Sequence, residues 1–200
     1  MKPSLIKKNI HYLPMPNTGE TYISDVAINS THITASFVFA IDDENNLWMS
    51  QNQKRGFDIP GGHVEPGETS EQAGIRETYE EIGAEVYVIP IGYKRLIVDD
   101  SATKPANYKY PYPESFMQFY AGIIDNIQSY EENEECKTPV AFKLDGNPAE
   151  LSSWSCENKE ALEWFTKKWN DKEDDFNLFI KEAYKAIYAF KMSASSLPIY

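Results

Sequence analysis

The chain is predicted to fold as a mixed α/β domain, and three features of its 200-residue sequence support this class. Several short segments are rich in β-branched and aromatic residues, which is typical of buried strands. A loop rich in glycine and proline leads into a helix in the first half, and an amphipathic helix lies near the C-terminal end. Because no internal repeat or linker divides the chain, residues 1–200 are expected to form one domain.

The composition argues against several classes of partner. The formal net charge is −12, so neither a nucleic-acid polymer nor an anionic membrane is expected as the main partner. No apolar run is long enough to cross a membrane, and the first ten residues lack the apolar core of a signal peptide. Cys136 and Cys156 match no metal motif, and we expect two free thiols in a reducing, cytoplasmic environment. A disulfide between them is the less favoured alternative.

The first elements follow in order along the chain. Residues 1–30 are weakly patterned and interrupted by prolines, which predicts an irregular arm or an edge strand. Residues 32–41 predict a buried strand, and residues 47–51 the returning strand after a short acidic turn. Lys54 and Arg55 are the next cations, and contact with a phosphate group or a position at a solvated strand end are equally supported for them.

Residues 62–84 are the most informative stretch, because a loop turns into a helix there. Thr69 or Ser70 is suited to cap the helix N-terminus, and Gly83 the C-terminus. The helix carries Glu77, Glu80 and Glu81 on one face, where their like charges repel one another. Clustered carboxylates are hard oxygen ligands that suit Mg²⁺ or Mn²⁺, although an ordinary acidic surface would be the default interpretation of the glutamates alone.

The spacing of these residues is more specific than their types. The stretch fits the pattern G-x5-E-x7-R-E-x-x-E-E-x-G without a gap, and about one start in 10⁸–10⁹ would fit it by chance. The matching positions are Gly62, Glu68, Arg76, Glu77, Glu80, Glu81 and Gly83. In these residues the chain resembles the Nudix hydrolases, a family related to MutT.

The resemblance implies a Nudix α/β/α sandwich, in which a mixed β-sheet is packed between helices. It also implies hydrolysis of a nucleoside diphosphate linked to a further group X, with Mg²⁺ or Mn²⁺ held by Glu77, Glu80 and Glu81. Water activated at the metal would attack phosphorus, and the backbone of Gly61 and Gly62 would lie against the small nucleotide substrate. A homodimer is common among relatives of this kind.

Glu68 and Arg76 stand on either side of the loop–helix junction, so an ion pair between them would brace the loop within the site. His63 occupies a variable position of the motif, and a structural role is favoured for it over a catalytic one. The resemblance leaves the general base open between Glu77 and a late glutamate.

The identity of X also stays open among oxidised nucleoside triphosphates, ADP-ribose, dinucleoside polyphosphates and nucleotide sugars. A non-catalytic module that binds nucleotide derivatives is the alternative function. It is disfavoured because every glutamate of the motif is present.

The rest of the chain supplies further strands and the C-terminal helix. Residues 85–98, with Pro90 at an edge or bulge, and residues 115–124 and 139–144 are predicted strands. Residues 99–113 form a long connection, and its tyrosines either stack on a base or pack as a surface loop, two readings with equal support. The acidic residues 131–135 predict a solvated loop.

The last segments carry the candidates for the late glutamate. Residues 157–166 resemble the late strand of the family, and the resemblance implies that Glu157 or Glu160, depending on register, would point towards the metal. Residues 170–200 hold the C-terminal helix and tail, with the helix over residues 174–192. Its predicted core stripe consists of Phe176, Phe179, Ile180, Ala183, Ile187 and Phe190.

Overall fold

A computed structural model describes residues 1–130, 132–145, 147–148, 150–151, 153–171 and 174–195. The strands in these residues are β1 (Leu5–Lys8), β2 (Asn17–Ile23), β3 (Ile33–Ile41), β4 (Leu47–Asn52), β5 (Gly56–Asp58), β6 (Gly61–His63), β7 (Ala84–Val98), β8 (Glu114–Ile127), β9 (Cys136–Asp145) and β10 (Ser153–Ser155). The helices are α1 (Ser70–Ile82), α2 (Lys159–Asn170) and α3 (Phe176–Ser195). Over the described ranges, no helix has the length and apolar character needed to traverse a bilayer.

The strands form one mixed sheet in the order β1-β2-β7-β8-β3-β4-β9-β10, with β5 paired to β4 and β6 paired to β3. The pairing of β3 with β8 is parallel. β3 pairs antiparallel with β4 and β6, and β8 with β7. The predicted mixed sheet is therefore confirmed, and so are five of the predicted strands, which correspond to β3, β4, β7, β8 and β9.

Alternate residues of β3 face opposite sides of the sheet, as the period of a strand requires. Val38 and Ala40 pack with Ile82 of α1. Phe39 and Ile41 belong to a larger aromatic cluster with residues of α2 and α3. The sheet thus lies between α1 on one side, here called the box face, and α2 with α3 on the other, here called the aromatic face.

Local signals at both ends of α1 act as predicted. Thr69 is the N-cap: its side chain accepts from the Gln72 N–H at 3.1 Å, and the Gln72 side chain accepts from the Thr69 N–H at 2.9 Å. This reciprocal capping box satisfies two backbone donors that the helix leaves unpaired. Gly83 ends the helix in the left-handed region, with φ of 70°.

α1 lies very close to β3 because a glycine faces the strand. A Cβ added at Gly74 would lie 2.8 Å from Ser36 Oγ and 3.0 Å from a methyl of Val38. Thr78, one turn further along, is fully buried on the same side. This close approach sets the distance between α1, which carries the glutamates, and β3, which pairs with β6.

The N-terminal arm is more regular than predicted. β1 is an edge strand, as the sequence suggested, but β2 lies inside the sheet between β1 and β7. The connection between β1 and β2 is held by Asn17, whose side-chain oxygen accepts from the Ile10 N–H at 2.7 Å. The prediction of an irregular segment was wrong because the polar sequence of β2 has little periodicity, and its order comes from strand pairing.

The predicted strand over residues 157–166 is wrong, since this segment lies mostly in helix α2. Asn158 caps the helix by accepting from the Ala161 N–H at 3.1 Å. Ala161 and Phe165 are both buried, and their spacing of four residues belongs to a helix rather than a strand. The C-terminal helix is present, but Phe190 is 49% exposed, so the buried stripe ends at Ile187.

Candidate active site

Arg76 is the centre of a hydrogen-bond network that joins the glycine-rich loop to α1. Its Nε donates to Glu68 Oε1 at 2.8 Å, and Nη2 donates to Glu68 Oε2 at 3.1 Å. Nη2 also donates to the carbonyl oxygen of His63 at 3.1 Å. The predicted ion pair between Glu68 and Arg76 is therefore present and bidentate. The Arg76 guanidinium lowers the pKa of Glu68, which keeps that carboxylate charged.

The same guanidinium also contacts two of the three clustered glutamates. Arg76 Nη1 donates to Glu77 Oε1 and to Glu80 Oε2, each at 3.0 Å. One cation shared between two carboxylates offsets their mutual repulsion. Glu77 and Glu80 are therefore connected through a single arginine.

Glu81 is the most buried carboxylate of the cluster, with 6% of its surface exposed. Its Oε2 accepts from the Gly61 N–H at 3.1 Å, and its Oε1 lies 3.9 Å from Cys136 Sγ and 3.9 Å from Arg55 Nη2. Burial raises the pKa of Glu81 to about 7. The hydrogen bond from Gly61 acts in the opposite direction, because it favours the charged form. The Glu81 carboxylate is therefore hydrogen-bonded directly to the backbone of β6.

Glu77 packs against the next residue of β6. A Cβ at Gly62 would collide with the Glu77 carboxylate, so the lack of a side chain at Gly62 lets this carboxylate lie directly against β6. Burial is also the main cause that raises the pKa of Glu77, while Arg76 acts in the opposite direction. The two glycines predicted to lie against the substrate are thus in contact with two carboxylates of the helix.

The clustered glutamates border a cavity of about 400 Å³. The residues around it are Glu77, Glu80, Glu81, Asn133, Glu134, Glu135 and Cys136. Glu134 and Glu135 are exposed, as expected for a solvated loop, but the loop prediction gave them no part in the site. Glu131, from the same acidic run, lies outside the described residues.

The pairing of β4 with β9 brings the acidic run to the cavity. Asn52 is opposite Cys136 in this pairing, and the Gln53 N–H donates to the carbonyl oxygen of Glu135 at 2.8 Å. Charge runs normally indicate solvent exposure, and the sequence contains no signal for this particular pairing. These functional candidates were missed for that reason.

The two late glutamates predicted near the metal do not lie there. Glu157 and Glu160 are exposed at the start of α2, whose buried residues join the aromatic face. Neither residue borders the cavity. Their assignment depended on a strand, and it fails because the segment is a helix on the other side of the sheet.

Arg55 is the basic residue that reaches the cavity before the motif. Its Nη2 lies 3.9 Å from Glu135 Oε1 as well as from Glu81, and 58% of its side chain is exposed. Of the two alternatives left open for Lys54 and Arg55, the geometry of Arg55 favours proximity to the site. Cys136 and Cys156 are free thiols, as predicted, and burial raises the pKa of Cys136 to about 12.

The donor set suits a hard divalent cation. Glu77, Glu80 and Glu81 supply carboxylate oxygens around one cavity, which is the chemistry that Mg²⁺ and Mn²⁺ prefer. Within the described part of the chain, no three His, Cys, Asp or Glu side chains are grouped as a ready-made metal site. In this arrangement Glu77 and Glu80 hydrogen-bond to Arg76 instead.

Comparison with known families matches residues 31–185 to the NUDIX domain. The chain is 47% identical over 101 residues to YtkD of Bacillus subtilis (strain 168), a protein provisionally named an 8-oxo-dGTP diphosphatase. This match covers 47% of the chain and 52% of that relative, so the chain spans about half the length of the curated protein it matches.

A crystal structure of a variant of the Bacillus subtilis pyrophosphohydrolase BsRppH matches with a TM-score of 0.52. The match covers 98% of this chain and 96% of that one at 20% identity, which supports the fold alone.

Proposed function

Because this chain belongs to the NUDIX family, we propose that it is a pyrophosphohydrolase that cleaves the diphosphate linkage of a small nucleotide. The observation that carries the proposal is the contact between the acidic helix and the glycine strand. Glu81 accepts from the Gly61 backbone, and Glu77 packs on Gly62, at the side of one cavity. A diphosphate in this cavity would lie beside closely spaced carboxylates, so a bound cation would be needed between the like charges.

Glu77, Glu80 and Glu81 are the residues that we propose hold Mg²⁺ or Mn²⁺. When bound, such an ion neutralises the diphosphate and lowers the pKa of a coordinated water so that it can attack phosphorus. Arg76 keeps the carboxylates of Glu77 and Glu80 on the cavity side of α1 through its hydrogen bonds. Glu68 in turn fixes the Arg76 guanidinium, so its role is to position the site.

The proton acceptor for the attacking water is proposed to be Glu77 or Glu135. Glu77 is the candidate inside the motif, and it borders the cavity. Glu135 replaces Glu157 and Glu160 as the late candidate because it borders the cavity, whereas they do not. Arg55, with its exposed guanidinium close to Glu81, is suited to contact a substrate phosphate.

For the substrate we propose a nucleoside triphosphate, with an oxidised guanine base as the first to test. This choice is supported by the provisional name of YtkD, to which this chain is similar over 101 residues. Hydrolysis next to the α-phosphate would release a nucleoside monophosphate and pyrophosphate.

The test is the release of nucleotide and phosphate products across a substrate panel, with Mg²⁺, with Mn²⁺ and with EDTA. We expect kcat/KM of about 10⁴ M⁻¹s⁻¹ or more for at least one nucleoside triphosphate, and no turnover with EDTA. Glu80→Gln and Glu81→Gln should lower kcat by about 10²–10³-fold because each removes a carboxylate from the metal site. Their thermal unfolding should stay close to that of the wild type.

Matched controls come from the opposite face of the sheet. Glu157→Gln and Glu160→Gln are the same chemical change at exposed positions, one just before α2 and one in its first turn, and kcat should be unchanged in both. Near wild-type kcat in Glu81→Gln at saturating Mg²⁺ would contradict the assigned metal site. A panel without turnover but with tight nucleotide binding would instead support the non-catalytic module.

A further inference from the structure

The long connection between β7 and β8 brings a tyrosine against β6. Tyr110 Oη lies 3.2 Å from His63 Nε2, and the two ring planes are within 11° of parallel with centroids 5.9 Å apart. Both side chains are exposed. The hydrogen bond therefore holds two nearly parallel rings together at the protein surface. The two rings are not packed in the interior of the loop.

This ring pair lies beside the residues proposed to bind the diphosphate. His63 follows Gly62 directly, and its carbonyl oxygen accepts from Arg76 Nη2 at 3.1 Å. The same guanidinium holds Glu77 and Glu80. The ring pair is thus joined to these carboxylates through one guanidinium and the backbone of His63.

Two neighbours of Tyr110 add features that suit a nucleotide. The ring of Tyr108 is edge-on to Tyr110 at 5.6 Å, and among the described residues its buried hydroxyl has no hydrogen-bond partner. A buried hydroxyl without a partner is costly, and a movement of the Tyr108 ring would be needed before the polar edge of a base could satisfy it. Lys109 Nζ lies 5.9 Å from the Tyr110 ring centroid and supplies a cation near an anionic ligand.

We propose that His63 and Tyr110 form the surface on which the base of the substrate stacks, with Tyr108 at its border. The inference rests on the proposed nucleotide pyrophosphohydrolase activity and deepens it, because it assigns the base a binding surface of its own. Stacking on aromatic rings accepts any base, so this surface predicts that the nucleotide is retained by its base without strict selection. Discrimination among bases would then come from polar groups such as the Tyr108 hydroxyl.

Tyr112 of the same connection provides the matched control. Its hydroxyl donates to Asp100 Oδ1 at 2.7 Å, and Lys104 Nζ lies 3.3 Å from its ring centroid. The polar and aromatic groups of Tyr112 are thus occupied within the connection itself. Replacing Tyr112 perturbs the same segment without touching the ring pair.

The experiment compares wild type, Tyr110→Ala, Tyr110→Phe, His63→Ala and Tyr112→Ala. Binding of GMP and of ribose 5-phosphate, which lacks a base, is measured by calorimetry, and kinetics are measured with the best triphosphate of the panel. Tyr110→Ala should weaken GMP binding by about tenfold and raise KM similarly, with kcat nearly unchanged because stacking is a uniform binding interaction. Affinity for ribose 5-phosphate should not change. Tyr110→Phe keeps the ring but loses the hydrogen bond to His63, so its affinity for GMP should lie between those of wild type and Tyr110→Ala. His63→Ala should resemble Tyr110→Ala.

The outcomes separate this inference from the proposed function. A wild type that neither binds nor hydrolyses any nucleotide overturns both. If the wild type is active and Tyr110→Ala binds GMP equally well, the stacking surface alone is wrong. An equal loss for GMP and ribose 5-phosphate, or an equal loss in Tyr112→Ala, would assign the effect to the folding of the connection and would also overturn the inference.

Discussion

The two faces of the sheet are packed by different kinds of residue. On the box face, α1 meets β3 through Gly74, Ser36 and Val38, so the backbones of helix and strand come close together. On the aromatic face the contacts are between large rings. Phe119 and Phe179 stack with centroids 4.1 Å apart, and Phe142 and Phe165 with centroids 4.5 Å apart.

This difference indicates that the box face positions the chemical groups of the site, whereas the aromatic face provides most of the stability. Rings bury far more apolar surface than glycine or serine, so most of the hydrophobic free energy should come from the aromatic face. The small residues of the box face bury less apolar surface and contribute less hydrophobic free energy. Their close packing sets the positions of the carboxylates relative to β6. Substitutions on the two faces should therefore have different readouts.

The largest expected effect is on stability, from Phe179→Ala on the aromatic face. The side chain is 1% exposed, and its loss should lower the free energy of unfolding by about 3–5 kcal/mol. Denaturant unfolding measures the change, and kcat well below the melting temperature should be retained. Phe190→Ala, on the same helix but 49% exposed, is the control and should cost less than about 0.5 kcal/mol. Equal losses for the two variants would contradict the assigned packing.

A somewhat smaller loss is expected from Lys94→Met. Lys94 Nζ lies 2.8 Å from Asp175 Oδ2, both side chains are largely buried, and the pair ties β7 to the start of α3. Removing the cation leaves a buried carboxylate without its charge partner, which should cost about 3 kcal/mol in unfolding experiments. Lys94→Met combined with Asp175→Asn should recover part of that loss. A double variant as unstable as the sum of the two single variants would show that the residues do not interact.

The smallest stability effect but the clearest link to activity is expected from Gly74→Ala on the box face. In a solvated helix this change would stabilise by about 1 kcal/mol. Here the new methyl group would lie 2.8 Å from Ser36 Oγ, so we expect a loss of about 1–2 kcal/mol instead. Because α1 must shift, kcat should fall as well.

Ser36→Ala in the Gly74→Ala background tests the cause. Among the described residues, the buried Ser36 hydroxyl has no hydrogen-bond partner, so its removal alone should be nearly neutral. It should restore part of both stability and kcat in the double variant. A stabilised Gly74→Ala variant with full kcat would mean that the helix does not need this close approach.

Much of the fold and the centre of the candidate site followed from short-range signals. Thr69 and Gly83 mark the ends of α1 because capping depends on residues within one turn of the helix. The pair of Glu68 and Arg76 spans eight positions across a single junction and forms as expected. The helical segment that contains Glu160 was predicted as a strand on the resemblance, whereas the spacing of the buried residues Ala161 and Phe165 is that of a helix.

The sequence by itself determined α1, its capping residues, the glutamates on one face of it and most strands of the mixed sheet. Only the tertiary structure decided which distant segments complete the cavity. Glu135 reaches it through the pairing of β4 with β9, and Tyr110 reaches His63 across 47 positions. Local sequence patterns determine the periodicity and the caps of each element. These long-range contacts depend instead on strand order and register, which periodicity alone does not determine.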